Sequence, residues 1–236
     1  MSEARIARFP GRVGLLDVAA ALPEQYPYLL DSAATGPLGS CSLLLRRGDE
    51  RPLVLERPGL LNGPGEGPGF LDRLDRWYRD RGTNWQASSG VPFSGGWFVY
   101  LGYELAVEIE PVLDLPSACD GLPTAFAQRC TGAVIEFHDH GGRILLAAES
   151  ENVLHRMQEE LSAVPARQRA DTPPIQDIVA EPAAEFESRI GRIHHYLRSG
   201  DVFQVNVSRG WKGSFDRAVN PLDVYRNLRE HNPAPF

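Results

Sequence analysis

Apolar residues recur at helical spacing in four stretches of the chain. The clearest of them runs from Phe70 to Arg81, where charged residues separate the apolar ones. This pattern is typical of an amphipathic helix that packs one face on a sheet. The same spacing predicts three further helices, over residues 148–161, 185–199 and 221–232.

Shorter apolar stretches bounded by Gly, Pro, Asp or Asn predict strands. They cover residues 28–34, 42–45, 52–56, 93–103, 125–137 and 144–148, after a first strand and a short helix within residues 1–26. The stretches 42–45 and 52–56 flank a polar turn, so we expect them to pair as a hairpin. The Gly- and Pro-rich segment 60–69 lacks the Lys-Ser/Thr ending of a phosphate-binding P-loop, which favours a mobile surface loop.

The order of these elements predicts the fold class and the domain division. Helices and strands do not alternate in a steady βαβ rhythm, so we expect an α+β fold with antiparallel sheets in a sandwich-like layer and helices packed outside. Residues 166–182 are polar and contain prolines, as linkers do. We therefore predict one domain over 1–165, a linker over 166–182, and the start of a second domain over 183–236.

Apolar and polar residues alternate strictly in the stretch 202–208, as in a strand. Its polar side consists of Gln204, Asn206 and Ser208. On an exposed strand these side chains would face water. On a strand buried on both sides, each unpaired group would cost on the order of 1–3 kcal/mol, so they would form a polar network or line a ligand pocket. We expect the network.

Composition excludes several classes of function. The 236 residues carry a net charge of −7, which argues against a partner that is a nucleic acid. No apolar run reaches the roughly 18 residues of a membrane span, and the N-terminus lacks the apolar core of a signal peptide. The three cysteines are widely spaced and odd in number, as in the reduced thiols of a cytoplasmic protein.

Three groups of residues could carry chemistry, and each has a simpler explanation. His138, Asp139 and His140 could bind a metal, but two histidines in a turn without further ligands nearby are more often solvated. His194 and His195 on a helix could pack or cap. Lys212 is the only lysine, so an amine nucleophile would have to be Lys212 or the N-terminus. We assign no catalytic and no metal-binding residue.

Two segments near the C-terminus together resemble a known family. Residues 193–209 resemble the pattern I-x-x-Y-I-x-x-G-D-x-[FY]-Q-V-x-x-S-[RQ], and the segment Leu228–Phe236 resembles L-R-x-x-N-P-[SA]-P-[FY]. Both patterns are typical of the chorismate-utilising component I family, which contains anthranilate synthase and aminodeoxychorismate synthase. Upstream, residues 29–32 resemble the family's L-L-[ED]-S, and residues 93–104 resemble its F-x-G-G-[WL]…[GD]-Y-[DE].

The resemblance implies a function in chorismate metabolism. Residues 103–106, Tyr-Glu-Leu-Ala, and the following 110–116 are similar to one branch of aminodeoxychorismate synthases, which aminate chorismate to 4-amino-4-deoxychorismate on the path to p-aminobenzoate and folate. Anthranilate synthase component I, in tryptophan biosynthesis, is the first alternative. A non-catalytic module that binds a ligand or a subunit is an alternative of another class.

The resemblance also implies what the rest of such a protein contributes. In the family, a glutamine amidotransferase subunit supplies ammonia, and C-terminal carboxylates bind the Mg²⁺ that holds the substrate. The motifs for these functions are not in this sequence. We therefore expect the chain to be the N-terminal part of the enzyme, truncated at its C-terminal side and inactive alone.

One ligand site can be carried over by position. In the family, a tryptophan site lies between the L-L-[ED]-S segment and the N-P-x-P segment. The corresponding positions, with the loop between them, are Ser32, Leu38, Gly39, Ser40, Cys41, Asn232, Pro233, Pro235 and Phe236. Ser40 and Cys41 stand where the family often has a basic and an aromatic residue, so a stacking contact worth roughly 0.5–1.5 kcal/mol is absent. From the residues alone, Asn232–Phe236 is either a rigid exit from the last helix or a wall that presents Phe236 to a ligand.

Overall fold

The structure is a computed structural model that describes residues 5–34, 39–81, 90–116, 121–138, 142–165 and 172–234. The chain divides into two compact units. The first comprises residues 1–167 together with 232–236, and the second comprises residues 168–231. The last five residues therefore belong with the N-terminal unit, although they follow the second unit in sequence.

Within the described residues, the first unit contains one sheet of eight strands, and every pairing in it is antiparallel. The strands are β1 (Arg5–Phe9), β2 (Tyr28–Leu30), β3 (Cys41–Arg47), β4 (Leu53–Arg57), β5 (Leu60–Asn62), β6 (Gly96–Leu101), β7 (Ala125–Phe137) and β8 (Arg143–Ala148). The helices are α1 (Leu15–Ala21), α2 (Phe70–Asp80), a 3₁₀ helix (Tyr103–Glu108) and α3 (Glu151–Ser162). Antiparallel strands with helices packed outside confirm the predicted fold class.

The long strand β7 organises the sheet. Its C-terminal part pairs with β3 and β8, and its N-terminal part pairs with β4 and β6. The predicted hairpin of residues 42–56 is therefore wrong, because β3 and β4 each pair with a different part of β7 instead of with each other. Strand β7 has 13 residues, so β3 and β4 can pair with it one after the other along the same edge.

Alternating side chains of the sheet build two hydrophobic clusters, one on each face. Val134 of β7 packs with residues of α1 and α3, whereas its neighbours Ala133 and Ile135 pack in the second cluster. A third cluster forms where Phe70 and Trp77 of α2 pack against β4 and β7. The amphipathic pattern of residues 70–81 thus predicted both the helix and its buried face.

A buried polar group links α3 to the sheet. Glu160 of α3 accepts hydrogen bonds from the Tyr26 hydroxyl at 2.7 Å and from Arg46 Nη2 at 2.8 Å. Only 7% of the Arg46 side chain is exposed, so its charge depends on this carboxylate. Burial opposes ionisation of Glu160, but the hydrogen bonds from Arg46 and Tyr26 lower the pKa of the carboxyl.

The second unit contains two helices and a two-stranded antiparallel sheet in its described part. Its elements are β9 (Gln176–Ala180), α4 (Ala183–Ser199), β10 (Trp211–Ser214) and α5 (Pro221–His231). Strand β9 thus lies in the segment that was predicted to be a linker. Helix α4 ends at Gly200, whose φ of 81° is the left-handed conformation of a helix C-cap. Asn220 caps α5 by accepting a hydrogen bond from Leu222 N at 2.9 Å, as predicted.

The strand predicted over 202–208 does not form. Residues 201–210 have no regular secondary structure, and Gln204, Asn206 and Ser208 are all exposed. The expected buried polar network is therefore wrong for this chain; Gln204 Nε2 donates to Asn206 Oδ1 at 3.3 Å, and both side chains are exposed. A strand requires a neighbour for its backbone, and the described part of the second unit pairs none with this segment.

Apolar side chains of the second unit remain in contact with solvent. Phe203 is fully exposed, and Leu197 on the predicted inner face of α4 is 38% exposed. Of the described residues in this unit, only Asp223 is buried. The amphipathic pattern of α4 correctly predicts a helix, but the described part of the second unit contains no surface that covers its apolar face.

Candidate functional site

Three segments of the first unit that are separated in sequence meet at Ser32. Ser32 follows β2 and is only 1% exposed, and its hydroxyl has no hydrogen-bond partner among the described residues. Gly39 lies beside it: a Cβ on Gly39 would fall 3.2 Å from Ser32 Oγ and 1.9 Å from the main-chain oxygen of Ala34. A side chain at position 39 would therefore displace the backbone that carries Ser32.

The C-terminal segment binds the same loop through its backbone. Both Ala33 N and Ala34 N donate to the carbonyl oxygen of Ala234, at 2.9 and 3.2 Å. Asn232 and Pro233, which precede Ala234, are exposed. The segment after β2 and the Asn-Pro-Ala segment, predicted as the two walls of a ligand site, are thus adjacent in the first unit.

Ser42 of β3 is the residue that holds Ser32 in place. Its side-chain oxygen accepts a hydrogen bond from Ser32 N at 3.0 Å and donates to Asp31 Oδ1 at 2.9 Å. His138, just after β7, completes the group: its Nε2 lies 3.2 Å from Ser42 Oγ, and its Nδ1 lies 2.8 Å from the main-chain oxygen of Gly39. Three successive amides, those of residues 32–34, therefore all have fixed partners.

The other predicted site residues divide into two groups. Ser40 is exposed, and Cys41 turns into the second hydrophobic cluster, away from Ser42, because neighbouring side chains of a strand point to opposite faces. Leu38, Pro235 and Phe236 lie outside the described residues.

Sequence reasoning missed Asp31, Ser42 and His138 as parts of this site. Asp31 adjoins Ser32 in the family-like segment, and Ser42 follows Cys41, so both stood beside a predicted position. His138 was considered only as a turn residue or a metal ligand with Asp139 and His140, which lie outside the described residues. Its separation of 96 residues from Ser42 leaves no local signal of their contact.

The remaining candidates stay on the surface. His194, His195 and Lys212 are exposed. Arg209 lies over the ring of Trp211, the neighbour of Lys212, at 5.4 Å from the ring centre. Across the described ranges, no group of three or more His, Cys, Asp or Glu side chains could hold a metal ion. Nor does any helix in those ranges have the length and apolar character to cross a membrane.

Comparison with known proteins gives the family. Residues 70–236, from the start of α2 to the last residue, match the family model described as chorismate binding enzyme. The chain belongs to the chorismate binding enzyme family. Within this family match lie α2, the β6–β8 part of the sheet, and the Asn-Pro-Ala segment that contacts Ala33. Ser32, Gly39 and Ser42 precede the matched range.

Relatives extend the similarity of this family member towards its N-terminus. An anthranilate synthase component I-like protein from Synechocystis is 27% identical over 222 residues, which cover 93% of this chain and 43% of the relative. Anthranilate synthase component 1 proteins from Haloarcula marismortui and Streptomyces coelicolor are each 31% identical, over 70% and 61% of this chain and 35% and 32% of their own lengths. The chain thus spans less than half the length of these relatives.

A solved structure shows the same fold. The crystal structure of anthranilate synthase component I from Streptococcus pneumoniae matches with a TM-score of 0.62 at 23% identity, over 86% of this chain and 48% of that one. At this identity the likeness concerns the fold. It agrees with the antiparallel sheet and external helices of this chorismate binding family member.

Proposed function

We propose that this chain forms the N-terminal part of an anthranilate synthase component I, an enzyme that converts chorismate with ammonia into anthranilate. The observation that carries the proposal is the family match over residues 70–236. The choice of anthranilate synthase is supported by the names of the relatives from Synechocystis, Haloarcula and Streptomyces, none of which is an aminodeoxychorismate synthase.

Aminodeoxychorismate synthase is the second candidate. It is favoured by residues 103–106, whose sequence resembles one branch of that enzyme. In the structure these residues form the 3₁₀ helix, with Tyr103 80% exposed and Leu105 buried. This helix fits either enzyme equally well, and the names of the relatives place anthranilate synthase first.

In this proposal the reacting groups come from polypeptide other than residues 1–236. That other polypeptide would hold Mg²⁺, and the ammonia would come from a glutamine amidotransferase subunit. The exposed apolar residues of the second unit support the same view. Phe203, Leu197 and the other exposed apolar side chains would be buried by the part of the relatives that this chain does not match. The two free, buried thiols of Cys41 and Cys130 agree with a reducing, cytoplasmic location.

An activity assay tests this proposal. The 236-residue chain and the longest polypeptide that its gene encodes are each incubated with chorismate, Mg²⁺ and ammonium. We expect no product from the 236 residues, and anthranilate, detected by its fluorescence, from the longer polypeptide. Formation of 4-amino-4-deoxychorismate instead, detected as p-aminobenzoate after lyase treatment, would select the second candidate. Turnover by the 236 residues alone would contradict the location of the chemistry, and a lack of any product would indicate a non-catalytic module.

We also propose that the Ser32 region binds an amino acid, with tryptophan as the first candidate. Its support is the buried hydroxyl of Ser32, which has no partner among the described residues, although such groups are nearly always hydrogen-bonded. The Ala234 segment and Gly39 both adjoin the loop that carries Ser32. Ser40 and Cys41 provide no aromatic wall, so the binding would be weaker than in family members that have one.

Ser32→Ala separates binding from stability. Without a ligand, the substitution is expected to leave the free energy of unfolding unchanged or to raise it by about 1 kcal/mol, because it removes an unpaired buried hydroxyl. Tryptophan affinity, measured by isothermal titration calorimetry, should fall about tenfold or more, since one buried hydrogen bond to the ligand is lost. Ser188→Ala, at an exposed position on α4, is the control and should change neither value. Equal affinity in wild type and Ser32→Ala would overturn the proposed site.

A further inference from the structure

The hydrogen bonds around Ser42 and His138 need one more proton than a neutral histidine provides. His138 Nδ1 faces the main-chain oxygen of Gly39 at 2.8 Å, so this nitrogen must carry a proton. In the neutral ring, Nε2 then has only a lone pair, and this lone pair faces Ser42 Oγ at 3.2 Å.

Ser42 has one hydroxyl proton and two groups that could accept it. Asp31 Oδ1, at 2.9 Å, is closer than His138 Nε2, and a charged acceptor makes the stronger hydrogen bond. With the proton given to Asp31, the lone pairs of Ser42 Oγ and of a neutral His138 Nε2 would face each other. Ser42 is fully buried, so water cannot relieve this conflict at the hydroxyl.

Protonation of His138 removes the conflict. The imidazolium donates from Nδ1 to Gly39 O and from Nε2 to Ser42 Oγ. The serine oxygen then accepts from Ser32 N and from His138 while donating to Asp31, so every partner is satisfied. The group becomes a chain of charge-assisted hydrogen bonds that runs from a cation to a carboxylate through one hydroxyl.

Three charged side chains adjoin the strands that carry Ser42 and His138. Among the described residues these are Asp31 on the β2–β3 connection, Glu136 on β7, which lies opposite Ser42 in the β3–β7 register, and Arg143 on β8, which pairs with Phe137. The Arg143 guanidinium lies over the Phe137 ring, 4.4 Å from its centre, and thus on the opposite face of β7 from Glu136. The main-chain oxygens of Gly39 and Ser40 also face His138, the latter accepting from His138 N at 3.0 Å.

We infer that His138 is a positioning residue whose protonation, acting through Ser42, orders the loop of residues 31–34 and its attachment to the C-terminal segment. Loss of the proton removes one of the two hydrogen bonds that Ser42 accepts, which loosens Ser42 and, with it, the amide of Ser32. The adjacent amides of Ala33 and Ala34 then hold Ala234 O less firmly. Because histidine is the side chain that ordinarily changes charge between about pH 5 and pH 8, this attachment responds to pH in that range.

Hydrogen exchange of the backbone amides, measured by NMR on the ligand-free 236-residue chain, tests the inference. The protection factors of Ala33 and Ala34, corrected for the intrinsic pH dependence of exchange, should be about tenfold higher at about pH 5.5 than at about pH 8, as expected for one charge-assisted hydrogen bond. In His138→Gln this difference should vanish. His155→Gln is the matched control, because His155 is an exposed histidine on α3 whose Nε2 lies 3.4 Å from Glu151 Oε1, and it should behave as wild type.

The amides of Leu44 and Val134 report whether each variant is folded, since both residues are fully buried in the first cluster. Should His138→Gln lose this core protection, Ser42→Ala is the second variant and should also abolish the pH response. Equal protection of Ala33 and Ala34 at the two pH values in wild type, or an undiminished response in a folded His138→Gln, would overturn the inference.

A consequence for binding rests on the amino-acid site proposed above. If Ser32 contacts a ligand, tryptophan should bind more tightly at about pH 5.5 than at about pH 8. The exchange experiment contains no ligand, so its result is independent of this consequence. Absence of tryptophan binding at both pH values would reject the ligand site and leave the positioning role of His138 intact.

Discussion

Glu160→Gln should lower the free energy of unfolding of the first unit by about 3 kcal/mol, the lower end of the cost of breaking a buried ion pair. The substitution keeps the size and the acceptor oxygen of the side chain but removes its charge. Arg46, with 7% of its side chain exposed, is then left as a buried cation without a counter-charge. Urea unfolding followed by circular dichroism measures the loss.

Glu159→Gln is the matched control for this substitution. Glu159 precedes Glu160 on α3 but is exposed, so its neutralisation should change stability by no more than about 0.5 kcal/mol. Equal stabilities of Glu159→Gln and Glu160→Gln would show that the ion pair with Arg46 adds nothing to the fold.

The same pair predicts a pH dependence with a definite sign. The pKa of Glu160 in the folded chain is lowered from its ordinary value of 4.5. A carboxyl with a lowered pKa stabilises the fold above the pKa of the unfolded state, and this contribution is lost as pH falls through the folded value. The stability difference between wild type and Glu160→Gln should therefore be largest near neutral pH and should narrow below pH 4.5.

Gly65→Ala should cost about 3 kcal/mol, because it combines backbone strain with an overlap of atoms. Gly65 has a φ of 79°, a left-handed conformation that is unfavourable for alanine, and a Cβ there would lie 2.3 Å from the main-chain oxygen of Arg73. Arg73 belongs to α2, so relief of the overlap would move this helix away from the third hydrophobic cluster. Thermal and urea unfolding measure the effect.

Gly59→Ala separates the two causes. Gly59 has nearly the same φ, 83°, but no atom lies within 4 Å of a Cβ at this position. Its substitution should therefore cost only the conformational strain, about 1 kcal/mol. If both variants lost the same stability, the overlap with Arg73 would be irrelevant and the close packing of the glycine-rich segment on α2 would be refuted.

The glycine-rich segment also illustrates the difference between composition and structure. The sequence suggested a mobile surface loop, but β5 begins the segment, and Gly65 packs against α2. The glycines show that the backbone of this segment can adopt a positive φ. Where a positive φ is required depends on the neighbouring elements, here α2.

Short sequence patterns predicted a helix, a helix end and a helix cap. The spacing of apolar residues predicted α2, Gly200 predicted the end of α4, and Asn220 predicted the cap of α5. The motifs near residues 193–209 and 228–236 predicted the family that comparison then showed. The choice between the two synthases was not determined by these motifs, and the relatives favour the one that we had placed second.

What the sequence by itself determined was the set of helices, most strands, the fold class and the family, because these depend on periodicity, caps and motifs within short segments. Tertiary structure alone decided that β3 and β4 both pair with β7, that residues 202–208 form no strand, and that His138 reaches Ser42. Strand pairing and side-chain hydrogen bonds between distant residues depend on which backbone and which polar atoms become neighbours. That choice is made by the packing of the whole unit and leaves no trace in the spacing of residues along the chain.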